Sequence, residues 1–154
     1  MVVRHGKSDW SGAHSDRDRP VGDRGRRQAT EAGAWLAAHL PSVDAVVVSP
    51  AQRTRTTWEL VAAELVAPPA PLLDERVYGG WGEGLLGVVR GLPDGAITVV
   101  LVGHNPGVED LVELLTGDWV AMPTASIAVV DLEVPWREAG RVAGRVRASG
   151  RPPA

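Results

Sequence analysis

Residues 97–115 read ITVVLVGHNPGVEDLVELL, and this stretch indicates the fold class. Its first part, Ile97–Val102, is a short valine-rich apolar run, which is typical of a buried β-strand. Its last part has the i, i+3, i+4, i+7 spacing of one helix face, at Val108, Leu111, Val112 and Leu115. A buried strand that leads through a short turn into an amphipathic helix is the building unit of a parallel sheet covered by helices.

The same alternation continues on both sides of this stretch. Further short apolar runs lie at Met1–Val3, Ala45–Val48 and Ser126–Leu132. Amphipathic stretches with helical spacing lie from about Arg24 to Leu40, after Pro50, and around Leu85–Leu92. Because strands and helices alternate, we predict a three-layer α/β/α sandwich with a mostly parallel sheet.

The end of the chain follows a different pattern. Apolar and polar residues alternate from Arg141 to Arg147, which predicts a half-exposed edge strand that pairs antiparallel with the run Ser126–Leu132. The last six residues, SGRPPA at 149–154, are polar and rich in proline. We therefore expect a single domain over residues 1–148, without a large cap insertion, and a loose tail at 149–154.

Composition excludes several classes of function. The chain has 154 residues and a formal net charge of −3, which argues against a dedicated nucleic-acid-binding protein. It contains no cysteine, so disulfides, thiolate metal sites and cysteine nucleophiles are excluded. No apolar run has the length of a membrane span, and no signal peptide is evident. We expect a cytoplasmic protein with neither nucleic acid nor membrane as partner, in an oligomeric state that the sequence leaves open.

Three apolar runs end in clusters of polar residues. The first leads into Arg4–His5–Gly6, the second into the segment from Ser49 to Arg53, and the third into the segment from Gly103 to Gly107. In an open parallel sheet, ligands bind beyond the carboxyl ends of the strands. Two arginines and two histidines are therefore expected to meet at one edge of the sheet.

Helix capping is the alternative explanation for part of these clusters. Ser49, Pro50 and Gln52 fit a capping box, with serine as N-cap, proline at the first helical position and glutamine at the third. Asn105 and Pro106 fit an N-cap and a first helical residue in the same way. Capping does not explain Arg53, because a cation in a helix's first turn opposes the helix dipole. We therefore predict an anion between Arg53 and the start of its helix.

Other motifs do not support a different chemistry. Gly6–Lys7–Ser8 resembles the end of a phosphate-binding P-loop, but its leading glycine would fall on Met1. Asp16 and Asp18 form an isolated pair that follows no apolar strand, so a solvated loop is the simpler interpretation. No cluster of histidines and carboxylates has metal-ligand spacing. The sequence predicts neither a metal site nor a cofactor.

The ordered motifs together resemble the histidine phosphatase superfamily, which includes cofactor-dependent phosphoglycerate mutases and acid phosphatases. The resemblance rests on Arg4–His5–Gly6, on Ser49–Pro50 with Arg53, and on Gly103–His104–Asn105–Pro106. Asp18–Arg19–Pro20 and the segment from Pro123 to Ala128 are closer still to its small SixA-type phosphohistidine phosphatases. The similarity extends from Arg4 to about Leu132 and implies a phosphoglycerate mutase-like fold.

Residue roles follow from this resemblance. It implies that His5 is the nucleophile phosphorylated in a covalent intermediate and that Arg4, Arg53 and His104 hold the phosphate, with His104 counted among the catalytic residues. Glu75 falls where the family often places a general acid, with Asp74 as the adjacent alternative. No metal is required. A nucleophilic imidazole must be neutral, and the charges of Arg4 and Arg53 are expected to lower the pKa of His5.

Chain length narrows the activity that the resemblance implies. The connections between Arg53, Glu75 and His104 are short, whereas the mutases carry long insertions that cap the site. An open site can admit a phosphorylated side chain of another protein, which favours a phosphatase acting on phosphohistidine proteins. A broad phosphomonoesterase for small phosphate esters is the alternative within the enzyme class. A phosphate- or phosphoprotein-binding module without turnover is the alternative from another class.

Overall fold

Apolar strands and amphipathic helices alternate along the chain, as the sequence predicts. The structure is a computed structural model that describes residues 1–40 and 42–153. Its strands are β1 (Val2–Arg4), β2 (Ala45–Val48), β3 (Leu72–Leu73), β4 (Val99–Gly103), β5 (Ile127–Asp131) and β6 (Arg145–Gly150). Its α-helices are α1 (Asp23–His39), α2 (Gln52–Ala62), α3 (Glu75–Gly79), α4 (Gly82–Arg90) and α5 (Gly107–Thr116), and a 3₁₀ turn lies at Trp136–Glu138.

The strands form one mixed sheet in the order β3-β2-β4-β1-β5-β6. The pairs β3–β2, β2–β4 and β4–β1 are parallel, whereas β5 runs antiparallel to both β1 and β6. The predicted mostly parallel sheet with an antiparallel edge is therefore confirmed. The parallel strands bring their carboxyl ends to the same edge of the sheet.

Alternate residues of the buried strands face opposite layers of helices. Val2, Val47 and Leu101 belong to one core cluster, together with apolar residues of α4 and α5. Their neighbours Val3 and Val48 belong to a second cluster, together with apolar residues of α1 and α2. Both faces of the central strands are covered, which explains their continuous apolar sequence. The result is the predicted three-layer α/β/α sandwich.

The C-terminal edge differs from the prediction in its position. The last strand is β6, Arg145–Gly150, rather than Arg141–Arg147, so Ser149 and Gly150 belong to the sheet and not to a loose tail. The backbone pairing of β5 with β6 extends to Gly150 opposite Ile127. Gly150 also bridges to Pro153, and Ala154 lies outside the described residues. Ladder hydrogen bonds use only the backbone, so a polar segment can continue the strand.

Neither of the two predicted N-cap residues, Ser49 and Asn105, occupies the N-cap position of its helix. The N-cap of α2 is Ala51, not Ser49, and Pro106, not Asn105, occupies that position of α5. The first backbone N–H of α2, that of Gln52, donates to the carbonyl of Arg17 at 2.8 Å, so the helix start is satisfied by another segment of the chain. The side chains of Ser49 and Asn105 are therefore available for other contacts.

Two glycines allow α1 to lie against the segment that follows β1. A Cβ on Gly25 would come within 2.3 Å of the Lys7 carbonyl oxygen, and one on Gly6 within 2.7 Å of the Gly25 carbonyl oxygen. This close backbone approach holds the start of α1 beside His5. None of the helices in the described part of the chain has the length and apolar character needed to span a bilayer.

Candidate active site

The sheet register places the three polar clusters side by side. Arg4 lies opposite Gly103 in the β1–β4 pair, and Val48 lies opposite Val102 in the β2–β4 pair. The backbone N–H of His5 donates to Gly103 at 3.1 Å, and that of Ser49 donates to Val102 at 3.1 Å. The residues that follow these three strands therefore share one edge, as the strand order requires.

His5 and His104 face each other at this edge. Their ring centroids are 5.1 Å apart and the ring planes are inclined by 55°. The His5 ring is buried, and its Nδ1 lies 2.8 Å from the Gly6 carbonyl oxygen. Because a carbonyl can only accept, Nδ1 carries the proton in the neutral ring and Nε2 keeps its lone pair. This tautomer is the one that a nucleophilic Nε2 needs.

A buried hydroxyl orients the His104 ring. Nε2 of His104 lies 2.7 Å from Oγ of Ser49, which is completely buried. Nδ1 of His104 is also buried, and it has no hydrogen-bonding partner among the described residues. The Ser49 hydroxyl holds Nε2, so Nδ1 is the atom of the His104 ring that can bind a ligand.

Three arginines surround the two histidines. Arg4 donates through Nη1 to the Met122 carbonyl at 2.8 Å, and Arg53 is buried on α2. The guanidinium of Arg19 lies 3.5 Å above the Trp10 ring. The Nε atoms of all three arginines are buried, and none has a hydrogen-bonding partner within residues 1–40 and 42–153. Arginine forks match the oxygens of a phosphate group.

Burial and positive charge keep both imidazoles neutral. Burial, together with the charges of Arg53, Arg4 and Arg19, lowers the pKa of His5 from 6.5 to about 4. Burial, His5 and Arg53 lower the pKa of His104 to about 3, although the nearby Asp16 carboxylate opposes the shift. The predicted direction for His5 is confirmed, with burial as the largest cause. An arriving anion would favour protonated His104.

The two acidic candidates are engaged in ion pairs. Glu75, the first residue of α3, accepts two hydrogen bonds from the Arg17 guanidinium, at 2.6 and 3.1 Å. Its side chain is 68% exposed, so the carboxylate lies on the surface. Asp74 caps α3 by accepting from the backbone N–H of Arg76 at 2.9 Å, and it also pairs with the Arg76 side chain. Asp74 therefore stabilises the start of α3, whereas Glu75 accepts its two hydrogen bonds from the side chain of Arg17.

Asp16 and Tyr78 are functional candidates that sequence reasoning missed. The sequence predicts Asp16 in a solvated loop, yet its carboxylate accepts from Arg53, Arg19 and Tyr78. The Tyr78 ring meets the His104 ring edge to face, with centroids 5.8 Å apart. The anion predicted beside Arg53 is in this structure the Asp16 side chain. Arg19 lies in the motif Asp18–Arg19–Pro20. This motif is the sequence signal that could have identified Arg19 as a site residue.

The described residues contain no group of three or more histidine, cysteine or acidic side chains arranged to hold a metal ion. The charge at the site comes instead from guanidinium groups. A separate cavity of about 790 Å³, lined by Asp94 and Trp136 among others, contains none of the histidines, arginines or acidic residues of the candidate site.

The fold is that of an α/β protein. The residues that follow the carboxyl ends of its parallel strands form a site suited to a small anion. Residues 1–86 match the family model of the histidine phosphatase superfamily, branch 1. The chain therefore belongs to the histidine phosphatase superfamily. An uncharacterized protein of Mycobacterium tuberculosis, Rv1276c, is 34% identical over 147 residues, which cover 88% of this chain and 90% of the relative.

Solved structures place the chain beside the SixA-type members. A SixA structure from Nakamurella multipartitia has a TM-score of 0.84 and 29% identity, covering 97% of this chain and 94% of the other. The protein histidine phosphatase SixA complexed with tungstate has a TM-score of 0.84 and 26% identity, covering 96% and 93%. The SixA-type resemblance and the phosphoglycerate mutase-like fold are confirmed.

Proposed function

We propose that this protein is a metal-independent phosphatase that hydrolyses phosphohistidine on protein substrates through a covalent intermediate on His5. Membership of the superfamily and the SixA-like neighbours support phosphatase activity. The observation that carries the proposal is the pairing of His5 and His104 at 5.1 Å within a ring of three arginines.

The first step is attack by His5 on phosphorus. Its Nε2 lone pair forms the new N–P bond while the P–N bond of the substrate breaks. The bonding pair stays on the substrate imidazole, which leaves as a neutral ring because its other nitrogen carries a proton. The Gly6 carbonyl holds the ring by its Nδ1 proton and stabilises the positive charge that develops on the imidazole. The guanidinium groups of Arg4, Arg19 and Arg53 stabilise the charge on the phosphoryl oxygens, which is the main catalytic requirement of phosphoryl transfer.

The second step is hydrolysis of the phosphorylated His5. Water attacks phosphorus, the N–P bond breaks, and the bonding pair returns to Nε2. One proton of the water passes to a phosphoryl oxygen, and the products are neutral His5 and dihydrogen phosphate, which releases its extra proton to solvent. His104, once protonated by the arrival of the anion, donates through Nδ1 to a phosphoryl oxygen in both steps, while Ser49 holds its other nitrogen.

The state of Glu75 favours phosphohistidine as substrate. A P–N bond breaks with a leaving group that needs little protonation, whereas an alkyl phosphate needs a general acid. The Glu75 carboxylate accepts two hydrogen bonds from Arg17, so it must leave this ion pair before it can give a proton to a leaving group. The chain between α2 and β4 contains only the short elements β3, α3 and α4, and no long insertion of the kind that caps a site.

The experiment is to trap the intermediate. The protein is incubated with a histidine-phosphorylated protein carrying ³²P, quenched in alkali, and analysed by peptide mapping. We expect acid-labile label on His5 in the wild type and none in His5→Ala. Absence of label and of turnover on a broad substrate panel would instead support a binding module. Higher kcat/KM for sugar or nucleotide phosphates would support the broad phosphomonoesterase.

Chelation tests the metal-independent part of the proposal. The charge on the transferring group is balanced by guanidinium groups, so activity should be unchanged after dialysis against EDTA. Loss of activity that a divalent cation restores would overturn this mechanism.

A further inference from the structure

Asp16 lies in the loop between β1 and α1, and its carboxylate contacts two arginines of the site. Its Oδ2 accepts from Arg53 Nη2 at 3.2 Å and from the Tyr78 hydroxyl at 3.0 Å. Its Oδ1 accepts from Arg19 Nη2 at 2.5 Å. Two of the three arginines that the proposed function assigns to the phosphoryl group thus already share one carboxylate.

This carboxylate changes the charge of the site. Arg4, Arg19 and Arg53 contribute three positive charges, and the two histidines are neutral at pH 7 because their pKa values are about 4 and about 3. Burial alone would raise the pKa of Asp16, but the hydrogen bond from Tyr78 and the charges of Arg53 and Arg19 together lower it. The ionised carboxylate therefore reduces the net charge of the empty site from three to two.

The Asp16 side chain is not what holds its loop in place. The Asp16 carbonyl accepts from Arg53 Nη1 at 2.6 Å, and the Arg17 carbonyl accepts from the backbone N–H of Gln52 at 2.8 Å. Both bonds use the backbone and survive replacement of the side chain. The Asp16 side chain itself is 56% exposed, so it can leave the arginines for solvent.

We propose that Asp16 is a built-in counter-anion that competes with the phosphoryl group for Arg53 and Arg19, and so weakens the binding of inorganic phosphate. This inference rests on the proposed function, in which phosphate is the product. A site with three unopposed guanidinium groups would hold its product tightly. By returning to the arginines as phosphate leaves, Asp16 lowers the affinity for product and limits product inhibition.

The test compares Asp16→Asn with Asp18→Asn. Both variants remove one negative charge from the same loop, but Asp18 is exposed and its carboxylate accepts from the Ser15 hydroxyl rather than from an arginine of the site. Inorganic phosphate is titrated into each protein by calorimetry at pH 7. We expect Asp16→Asn to bind phosphate roughly tenfold more tightly than wild type, and Asp18→Asn to stay within about twofold. Asp16→Glu, which keeps the charge, should remain close to wild type.

If the Asp16 carboxylate only positioned Arg53, Asp16→Asn would bind phosphate more weakly than the wild type. Unchanged or weaker phosphate binding in Asp16→Asn would overturn the inference, and so would an equal gain in Asp18→Asn. Asp16→Ala is a further variant without the carboxylate. Failure of both Asp16→Asn and Asp16→Ala to unfold cooperatively would overturn the inference too, since the carboxylate would then be required for folding. Calorimetry needs no turnover, so this result is independent of whether label is trapped on His5.

Discussion

The hydroxyl of Ser49 and Nε2 of His104 lie 2.7 Å apart, and this contact joins the end of β2 to the end of β4. Ser49 is completely buried, so no solvent competes for its hydroxyl. The same hydroxyl lies 3.4 Å from the backbone N–H of Ala51, which makes it a weak acceptor there. The contact with His104 is the stronger one and fixes which nitrogen of that ring faces the site.

Replacement of Ser49 by alanine should separate catalysis from folding. His104 would keep its place in the chain but lose the group that fixes its ring, so we expect kcat to fall about tenfold with a smaller change in KM. The free energy of unfolding should fall by about 1–2 kcal/mol, because one ring nitrogen loses its partner. Steady-state kinetics and denaturant unfolding measure the two effects.

Ser126→Ala is the matched control for this change. Ser126 is also a buried serine, but its hydroxyl has no hydrogen-bonding partner among the described residues. Its replacement removes the same atom without releasing His104, so kcat should stay within about twofold of wild type. An equal loss of kcat in both variants would mean that the Ser49 hydroxyl has no special role.

Much of the fold could be predicted because its signals are local. The valine-rich runs and the i, i+3, i+4 spacing of α5 depend on burial alone, and both elements form where expected. The strand β3 was not predicted, since Leu72 and Leu73 are a two-residue pair on an exposed edge. Its pairing with β2 depends on tertiary position, which no local pattern carries.

The site was predictable only as far as strand ends identify it. His5, Arg53 and His104 follow buried strands, so topology brings them together. The function of Ser49 was hidden, because a serine before a proline also fits a helix cap. Asp16 and Tyr78 lie outside any strand end. Asp16 contacts Arg53 of α2 and Tyr78 of α3, and both contacts depend on the path of the loop that carries Asp16. The periodic spacing of apolar residues predicts helices and strands, but it does not predict the path of a loop.

The pair of Glu75 and Arg17 allows the proton-donor role to be tested. Glu75→Gln should leave phosphohistidine hydrolysis within about threefold of wild type and slow alkyl phosphate hydrolysis by at least about tenfold. The reason is that only the alkyl leaving group needs a proton. Initial rates with a phosphohistidine protein and with glycerol phosphate give the comparison.

Arg17→Gln distinguishes the carboxylate from the ion pair. It breaks the same contact, at 2.6 and 3.1 Å, but leaves the Glu75 carboxylate in place. The pair is exposed and contributes little to stability, so both variants should fold normally. Alkyl phosphate hydrolysis should persist in Arg17→Gln. If the two variants lose this activity equally, or if Glu75→Gln slows both substrates alike, Glu75 is not the proton donor.

The close approach of α1 to the segment after β1 predicts opposite effects for two glycine replacements. Gly25→Ala would place a Cβ 2.3 Å from the Lys7 carbonyl oxygen and 2.5 Å from the Lys7 nitrogen, so the backbone beside His5 must move. We expect a loss of about 1–3 kcal/mol in the free energy of unfolding, together with reduced activity. Gly87→Ala in α4 meets nothing within 4 Å and should stabilise the protein by about 0.4–1 kcal/mol. Equal effects in denaturant unfolding would contradict this interpretation.

Stability should decrease in mild acid because the two site histidines resist protonation. Their pKa values are about 4 and about 3 in the folded protein, against 6.5 for the free side chain, so below pH 6.5 the unfolded chain binds protons that the folded chain does not. The free energy of unfolding therefore falls as pH falls from 6.5 towards 4, by up to about 1.4 kcal/mol per pH unit for each histidine. Above pH 6.5 neither group contributes.

Urea unfolding at pH 6, 5.5 and 5 measures this slope in a suitable window. The amino group of Met1, whose pKa burial lowers from 8.0 to about 6, changes charge mostly above it. His104→Asn should remove about half of the slope attributed to the two histidines. Inorganic phosphate should reduce the slope in the wild type, because it favours protonated His104. A wild-type slope that His104→Asn leaves unchanged would mean that this ring is protonated in the folded protein, and a neutral His104 in the empty site would then be wrong.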